Sequence, residues 1–249
     1  MEAAPSDDAA RLRYYDQLAD TELCLLLESE VANDSLRPQV FDLEDGNFVL
    51  VFDGEDRLAD FSAAPVPYAA LPGRVIVNLL AGQGIGLGIN LTGFASMMLP
   101  HEAVDWLAET LRQGPRVVRD RPREVRRPTG LPEALLRALD AKLALTTDMA
   151  GSAYLAGVTY DGGRRGHLLV FVNARKGAEV GLAKSVGEAL TFSGIAAGEL
   201  DVGFVHSGDP LLGAMARHAL ALSIPRSPEP LKRPRQAPGS DPSRPPKLR

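Results

Sequence analysis

From Val75 to Pro100 the chain runs for 26 residues without a charge, VIVNLLAGQGIGLGINLTGFASMMLP, and within it Gly82, Gly84, Gly86 and Gly88 fall at every second position. An uncharged stretch of this length can be a membrane span, a nucleotide-binding loop or buried core, and each demands different neighbours. A dinucleotide loop needs GxGxxG directly after a strand and opening a helix, so that backbone amides and the helix dipole meet the pyrophosphate. Counted from Gly82 the sixth position is Leu87, and from Gly84 it is Ile89, so neither register supplies the third glycine. The order is also reversed, because RVIVNLLAGQ has helical spacing and precedes, while GINLTG alternates and follows. A membrane span would bury Asn78, Gln83 and Asn90 among glycines and has no basic flank to orient it. The remaining reading is a helix ending near Gly82 and a strand at about 84–91. Ile85, Leu87, Ile89 and Leu91 then form one face, and the glycines a bare face that a helix or another backbone can approach closely.

The rest of the chain is less uniform. Net charge is −5, but residues 1–111 hold 5 basic and 19 acidic side chains, a balance of −14. Residues 112–127, RQGPRVVRDRPREVRR, come to +5, residues 128–225 to −1, and residues 226–249 to +5. Pro115, Pro122 and Pro128 with Gly114 and Gly130 interrupt helices and sheets across the basic stretch. The predicted organisation is therefore a domain over 1–112, a basic linker over 113–130, a second domain over 131–223 and a basic tail over 224–249. RSPEPLKRPRQAPGSDPSRPPKLR has seven prolines and almost no large apolar residues, so disorder with polyproline-like stretches is expected there.

Periodicity predicts mixed α/β structure in both domains. Ser6 can cap a helix over Asp7–Leu18, ELCLLLE reads as a buried strand, and QVFDLEDGNFVLVFD as a hairpin turning at Glu44 to Asn47. Helices are expected at about 55–62 and 69–81, and Pro100 opens another, HEAVDWLAETLR. In the second domain Leu135, Leu139 and Leu143 mark an amphipathic helix over 131–146. SAYLAGVTY and GHLLVFVNA read as strands joined by a turn at Asp161, Gly162 and Gly163. A helix at about 177–191, a strand at about 200–206 and a helix over 211–222 capped by Asp209 and Pro210 complete the order. The fold class is α/β with α+β type mixed sheets, in two small domains joined by an Arg/Pro-rich linker.

No pattern of residues points to catalysis. There is no GxSxG elbow, HSGD at 206–209 reads as a strand end followed by a helix cap, and His101, His167, His206 and His218 have no ligand spacing. His101, Glu102 and Asp105 resemble HExxH with its last histidine replaced, which suits a helix start better than zinc. Asp53, Glu55 and Asp56 with Arg57 would need to converge in a cleft to act as an enzyme site, whereas their spacing suits a helix start. The single cysteine, Cys24, lies in LCLLL and is read as a buried, inert thiol. No catalytic residue, metal site or cofactor is predicted.

Two binding readings remain. Arg116, Arg119, Arg121, Arg123, Arg126 and Arg127 of the linker, with Lys232, Arg233 and Arg235 of the tail, are candidate interaction arms. Nucleic acid is disfavoured as their partner, since no aromatic residue interleaves them and the adjoining domain repels a polyanion. They can equally be solvated, or fold against that acidic domain. Alternatively, a pocket beside the bare glycine face would use Arg74, Asn78 and Asn90 to fix a polar ligand such as an amino acid. The same three residues also suit an exposed helix position, caps and turns. MEAAPSDDAARLRYYD lacks the basic start and apolar stretch of a secretory signal, so a cytoplasmic location without membrane attachment is expected.

The order of pieces resembles the SseB family, the enhanced serine sensitivity proteins, which pair N-terminal and C-terminal SseB domains. ELCLLLE, DGNFVLVFDGEDRLADF, YAALPGRVIVNLL, GIGLGIN and LPHEAVDWL carry the likeness in the first domain. LPEALLRALDAKL, AYLAGVTYDGG and HLLVFVNA carry it in the second, so that it spans about residues 8–222. The resemblance implies a fold and a growth phenotype involving serine, and it supplies no catalytic motif to carry over. The expected function is protein binding as an adaptor or regulator, without catalysis.

Overall fold

In the computed structural model the described residues are 5–30, 36–62, 64–91, 96–113, 122–194 and 200–227. They form two mixed sheets, each with helices on both faces. In the first half the order is α1 (Pro5–Asp20), β1 (Glu22–Leu26), β2 (Val40–Leu43), β3 (Gly46–Phe52), α2 (Glu55–Phe61), β4 (Tyr68–Pro72), α3 (Gly73–Leu80), β5 (Ile85–Ile89), β6 (Met97–Leu99) and α4 (His101–Arg112). In the second it is β7 (Pro122–Arg126), α5 (Glu133–Ala144), β8 (Ser152–Tyr160), β9 (Arg165–Val172), α6 (Glu179–Phe192), β10 (Leu200–Val205), α7 (Leu211–His218) and β11 (Leu220–Leu222). The mixed α/β class read from the periodicity is the one observed.

The first sheet runs β4-β1-β3-β5-β6, with β2 paired to β3 as the expected hairpin. Its larger face is covered by α1, α3 and α4, which bury Tyr15, Leu18, Ile76, Leu80, Leu107 and Leu111 against Leu25, Val51 and Leu87. Its other face carries a smaller apolar group, Cys24, Leu26, Leu50 and Phe52 under Leu58 of α2, with the Phe61 ring 5.2 Å from that of Phe52 and tilted by 41°. Burial raises the pKa of the Cys24 thiol, the inert state expected of it. The second sheet runs β10-β9-β8-β11, with β7 also on β8. Leu135, Leu139 and Leu143 of α5 and Leu182 and Val186 of α6 cover one face, and α7 places Met215 on the other. At one edge the Tyr160 hydroxyl donates to Asp201 Oδ2 at 2.5 Å and Arg164 donates to the same oxygen at 2.8 Å, tying the β8–β9 hairpin to β10.

The glycine run has the predicted helix-then-strand order, as α3 and β5. Ile85, Leu87 and Ile89 pack toward the helices, and the bare face is filled by neighbouring strands rather than by a helix. A Cβ on Gly86 would strike the Phe48 ring and lie 2.6 Å from Leu99 O, and one on Gly88 would lie 2.7 Å from Leu50 Cδ2. Gly86→Ala should therefore lower the unfolding free energy in urea by about 2 kcal/mol, as overpacking does in a rigid core. An unchanged midpoint would show that the Phe48 ring can turn aside.

Four expectations need correction. Residues 68–72 form a strand on β1, not the start of a helix, because Pro72 has no N–H to give a helix interior and the helix starts only at Gly73. The last helix stops at His218, and Leu220–Leu222 leaves it to pair with β8. The second part of the expected linker is not a bare connection, since Pro122–Arg126 pairs antiparallel with β8. Leu91 sits with the α2-side group instead of beside Ile89, because Asn90 adopts φ 50° and reverses the alternation. The tail beyond residue 227 and the linker residues 114–121 lie outside the described residues.

Candidate functional site

Arg74, proposed from sequence as a ligand contact, is engaged by the protein's own carboxylates. Its Nη1 and Nη2 donate to Glu188 Oε1 and Oε2 at 3.0 and 3.1 Å, and Nη2 also donates to Asp20. Beside it, Lys142 Nζ lies 2.6 Å from Asp16 Oδ1, 2.6 Å from Asp20 Oδ2 and 3.0 Å from Glu188 Oε2. The five residues come from α1, α3, α5 and α6, so the network joins the helix layers of the two sheets. Lys142 and Glu188 side chains are each 3% exposed, leaving little water to share their charge.

The network holds two cations and three carboxylates, a net charge of −1. Desolvation is the largest single influence on Lys142 and pulls its pKa down, yet the pull of Asp16, Asp20 and Glu188 prevails and holds it above the ordinary value. Desolvation likewise pushes Glu188 up, and Arg74 with Lys142 reverses this and leaves it below the usual range. Asp16 goes the other way, because its desolvation outweighs what Lys142 returns. This arrangement couples two helix layers, and its cations are committed to internal pairs.

The other sequence candidates are dispersed. Asn78 is exposed and donates from Nδ2 to Arg74 O at 2.8 Å, a bond within its own helix. Asn90 is buried and accepts at Oδ1 from Asp53 N at 3.1 Å, bracing the turn into α2. Arg57 then pairs with Asp53 at 2.6 Å, while Glu55 and Asp56 occupy the first turn of α2, the helix start read from the sequence. Asp105 accepts from Gly82 N at 2.7 Å, and among the described residues no His, Cys, Asp or Glu group could hold a metal. Asp209 Oδ1 accepts from Leu211 N at 2.8 Å, as a helix cap. Among the arms, Arg123 and Arg127 are exposed and Arg126 is half-buried over Gly157; Arg116, Arg119, Arg121, Lys232, Arg233 and Arg235 lie outside the described residues.

A concave surface occurs where sequence reasoning did not look, between α2 and the segment entering β4. A cavity of about 420 Å³ is lined by Leu58, Ala59, Pro65 and Val66 with Glu55, Ser62, Ala64 and Tyr68. The Tyr68 hydroxyl donates to Glu55 Oε1 at 2.5 Å, which raises the phenol pKa. Among the described strands β4 pairs with β1 alone, at the edge of the sheet. Glu55 is the acidic residue in the cavity wall, and Asp56 and Asp60 are exposed on the outer face of the same helix. The sequence signal was present in DGEDRLADFSAAPVPY, an acidic amphipathic turn followed by small residues and prolines before a tyrosine.

Residues 1–106 match the family model described as the SseB protein N-terminal domain. Over these residues the chain is similar to the SseB N-terminal domain. The matched stretch contains the whole first sheet, from α1 into α4, and with it the α2–β4 groove. No curated protein and no solved structure matches the chain. None of the described helices is long and apolar enough to cross a membrane, and the 75–100 run is divided among α3, β5 and β6.

Proposed function

We propose that this protein, whose first 106 residues are similar to the SseB N-terminal domain, acts by binding another protein, as a cytoplasmic adaptor or regulator linked to amino-acid metabolism, and not by catalysis. The observation that carries this reading is the α2–β4 groove, an apolar trough with Glu55 in its wall beside β4, an edge strand among the described residues. An extended, basic segment of a partner fits that chemistry: apolar side chains enter the trough, cations meet Glu55, Asp56 and Asp60, and the β4 edge can accept backbone hydrogen bonds. The negative balance of residues 1–111 steers such a partner toward this half of the molecule.

Ala59 is exposed and lines the groove, so Ala59→Arg both fills the trough and adds a positive charge beside Glu55 without touching the core. Crosslinking and affinity capture from native cells should recover a specific partner with the wild-type protein. The variant should bind it at least tenfold more weakly, with an unchanged melting temperature. Equal capture by both proteins would defeat the reading.

A further inference from the structure

We propose that the chain's own basic, proline-rich segment, residues 228–249, docks in the α2–β4 groove and competes there with the partner segment. The inference rests on the reading of the groove as a docking site. The segment carries six basic and two acidic residues, against a balance of −14 over residues 1–111. Its composition matches the groove term by term. Leu231 and Leu248 are apolar anchors, and Lys232, Arg233 and Arg235 stand beside the first of them. Pro242, Pro245 and Pro246 in PSRPPK favour the extended polyproline conformation that aromatic-lined grooves accept at low ordering cost. Tyr68 and Pro65 offer such a surface with Glu55 in its wall, Asp56 and Asp60 are exposed on the outer face of α2, and Arg57 of the same helix is paired with Asp53. Prolines lack the N–H needed to extend β4, so this occupant uses the trough and leaves the strand edge open.

Reach and strength also fit. The described chain ends where Arg226 Nη2 donates to Gly151 O and Ser227 N to Asp148 Oδ1, each at 3.1 Å. Twenty-two residues at polyproline spacing cover about 68 Å. A compact body of this chain length is only about 45 Å across, which the distal stretch with PSRPPK and Leu248 can span, while Lys232 to Arg235 reach up to about 25 Å from Ser227. Each exposed ion pair is worth less than about 1 kcal/mol, too little to hold a free peptide of this kind. Attachment to the same chain supplies an effective concentration on the order of millimolar, which makes weak docking sufficient and easily displaced.

The test uses the full chain with p-azidophenylalanine in place of Tyr68, which keeps a ring of similar size in the groove wall, in an equal mixture of isotopically light and heavy protein. Crosslinks should map to residues 228–249 within single chains, and should fall at least fivefold in the variant carrying Lys232→Glu, Arg233→Glu and Arg235→Glu. That variant, without the crosslinker, should capture several-fold more partner than the wild type. Crosslinks confined to other segments, or joining light to heavy chains, would overturn the proposal. If the tail is absent from the crosslinks but a partner is still captured through the groove, the inference fails and the proposed function stands. If the tail crosslinks and no partner is recovered, the function fails and the tail contact stands.

Discussion

Replacing Lys142 by methionine is expected to lower the unfolding free energy by about 3–5 kcal/mol, the cost of stripping one partner from a buried ionic network. In a chain of this length that loss corresponds to roughly 6–20 °C in melting temperature. Methionine keeps most of the volume, so the deficit reports charge more than cavity. The pH dependence separates the two. In the variant Asp16, already raised by burial, and Glu188, held low in part by Lys142, both lose that charge, so the folded-state pKa of each moves upward. A carboxylate whose folded pKa is raised gives a stability that increases as pH falls through that pKa, since the folded form then binds the proton more tightly. The wild-type Glu188 has the opposite sign: it is held low, so its contribution is complete above the ordinary carboxylate range and is lost as pH falls through its folded pKa. The gap between the two proteins should therefore narrow on acidification toward the carboxylate range. A deficit that stays constant with pH would assign the loss to packing.

The second large effect is expected at Gly73. A Cβ there would drive into the carbonyl of Leu18, which is backbone at the end of α1 and cannot swing aside. The Gly73 N–H donates to Thr21 O at 2.9 Å, so the start of α3 is tied to that same turn. Gly73→Ala should cost about 3 kcal/mol or more, the upper end of what overpacking does. Gly213→Ala makes the comparison sharp. That glycine lies inside α7, is exposed, and a Cβ would meet nothing within 4 Å, so the change should stabilise the protein by about 0.5–1 kcal/mol. Urea unfolding of both variants reads the two signs directly, and a mild effect at Gly73 would show that α1 and α3 can separate without loss.

What was legible in the sequence was whatever a short window contains. Leu135, Leu139 and Leu143 announce α5 because a helix repeats its face every three or four residues, and SAYLAGVTY coincides with β8 because β-branched, aromatic and small residues suit a buried strand. The strand at 68–72 was missed because YAALP is short and alanine-rich, and its partner Glu22–Leu26 lies far back in the chain. The strand at 220–222 was missed for the same reason, since only its place beside Leu155 makes it one.

The network around Lys142 was invisible for a stronger version of that reason. Lys142 and Asp20 are 122 residues apart, and each alone looks like an ordinary charge on an amphipathic helix. Hints did exist: Lys142 lies three residues after Leu139 on the apolar stripe, and Glu188 sits in SVGEALTF, where its neighbours are small or apolar. Arg74, read from the sequence as a contact for a polar ligand, has Asp20 and Glu188 of its own chain as partners. The groove was overlooked because its lining is small and apolar, which no motif search rewards.

Phe192, the last residue of α6, is 2% exposed and belongs to the apolar interior under the first sheet, although the rest of its helix serves the second. Evolutionary kinship and physical wholeness therefore draw different borders through this molecule. The family signature closes at residue 106, whereas the solvent-free interior beneath that signature is completed by a ring contributed 86 residues later. A fragment cut at the family border would keep all the matched residues and lose a wall of its own core.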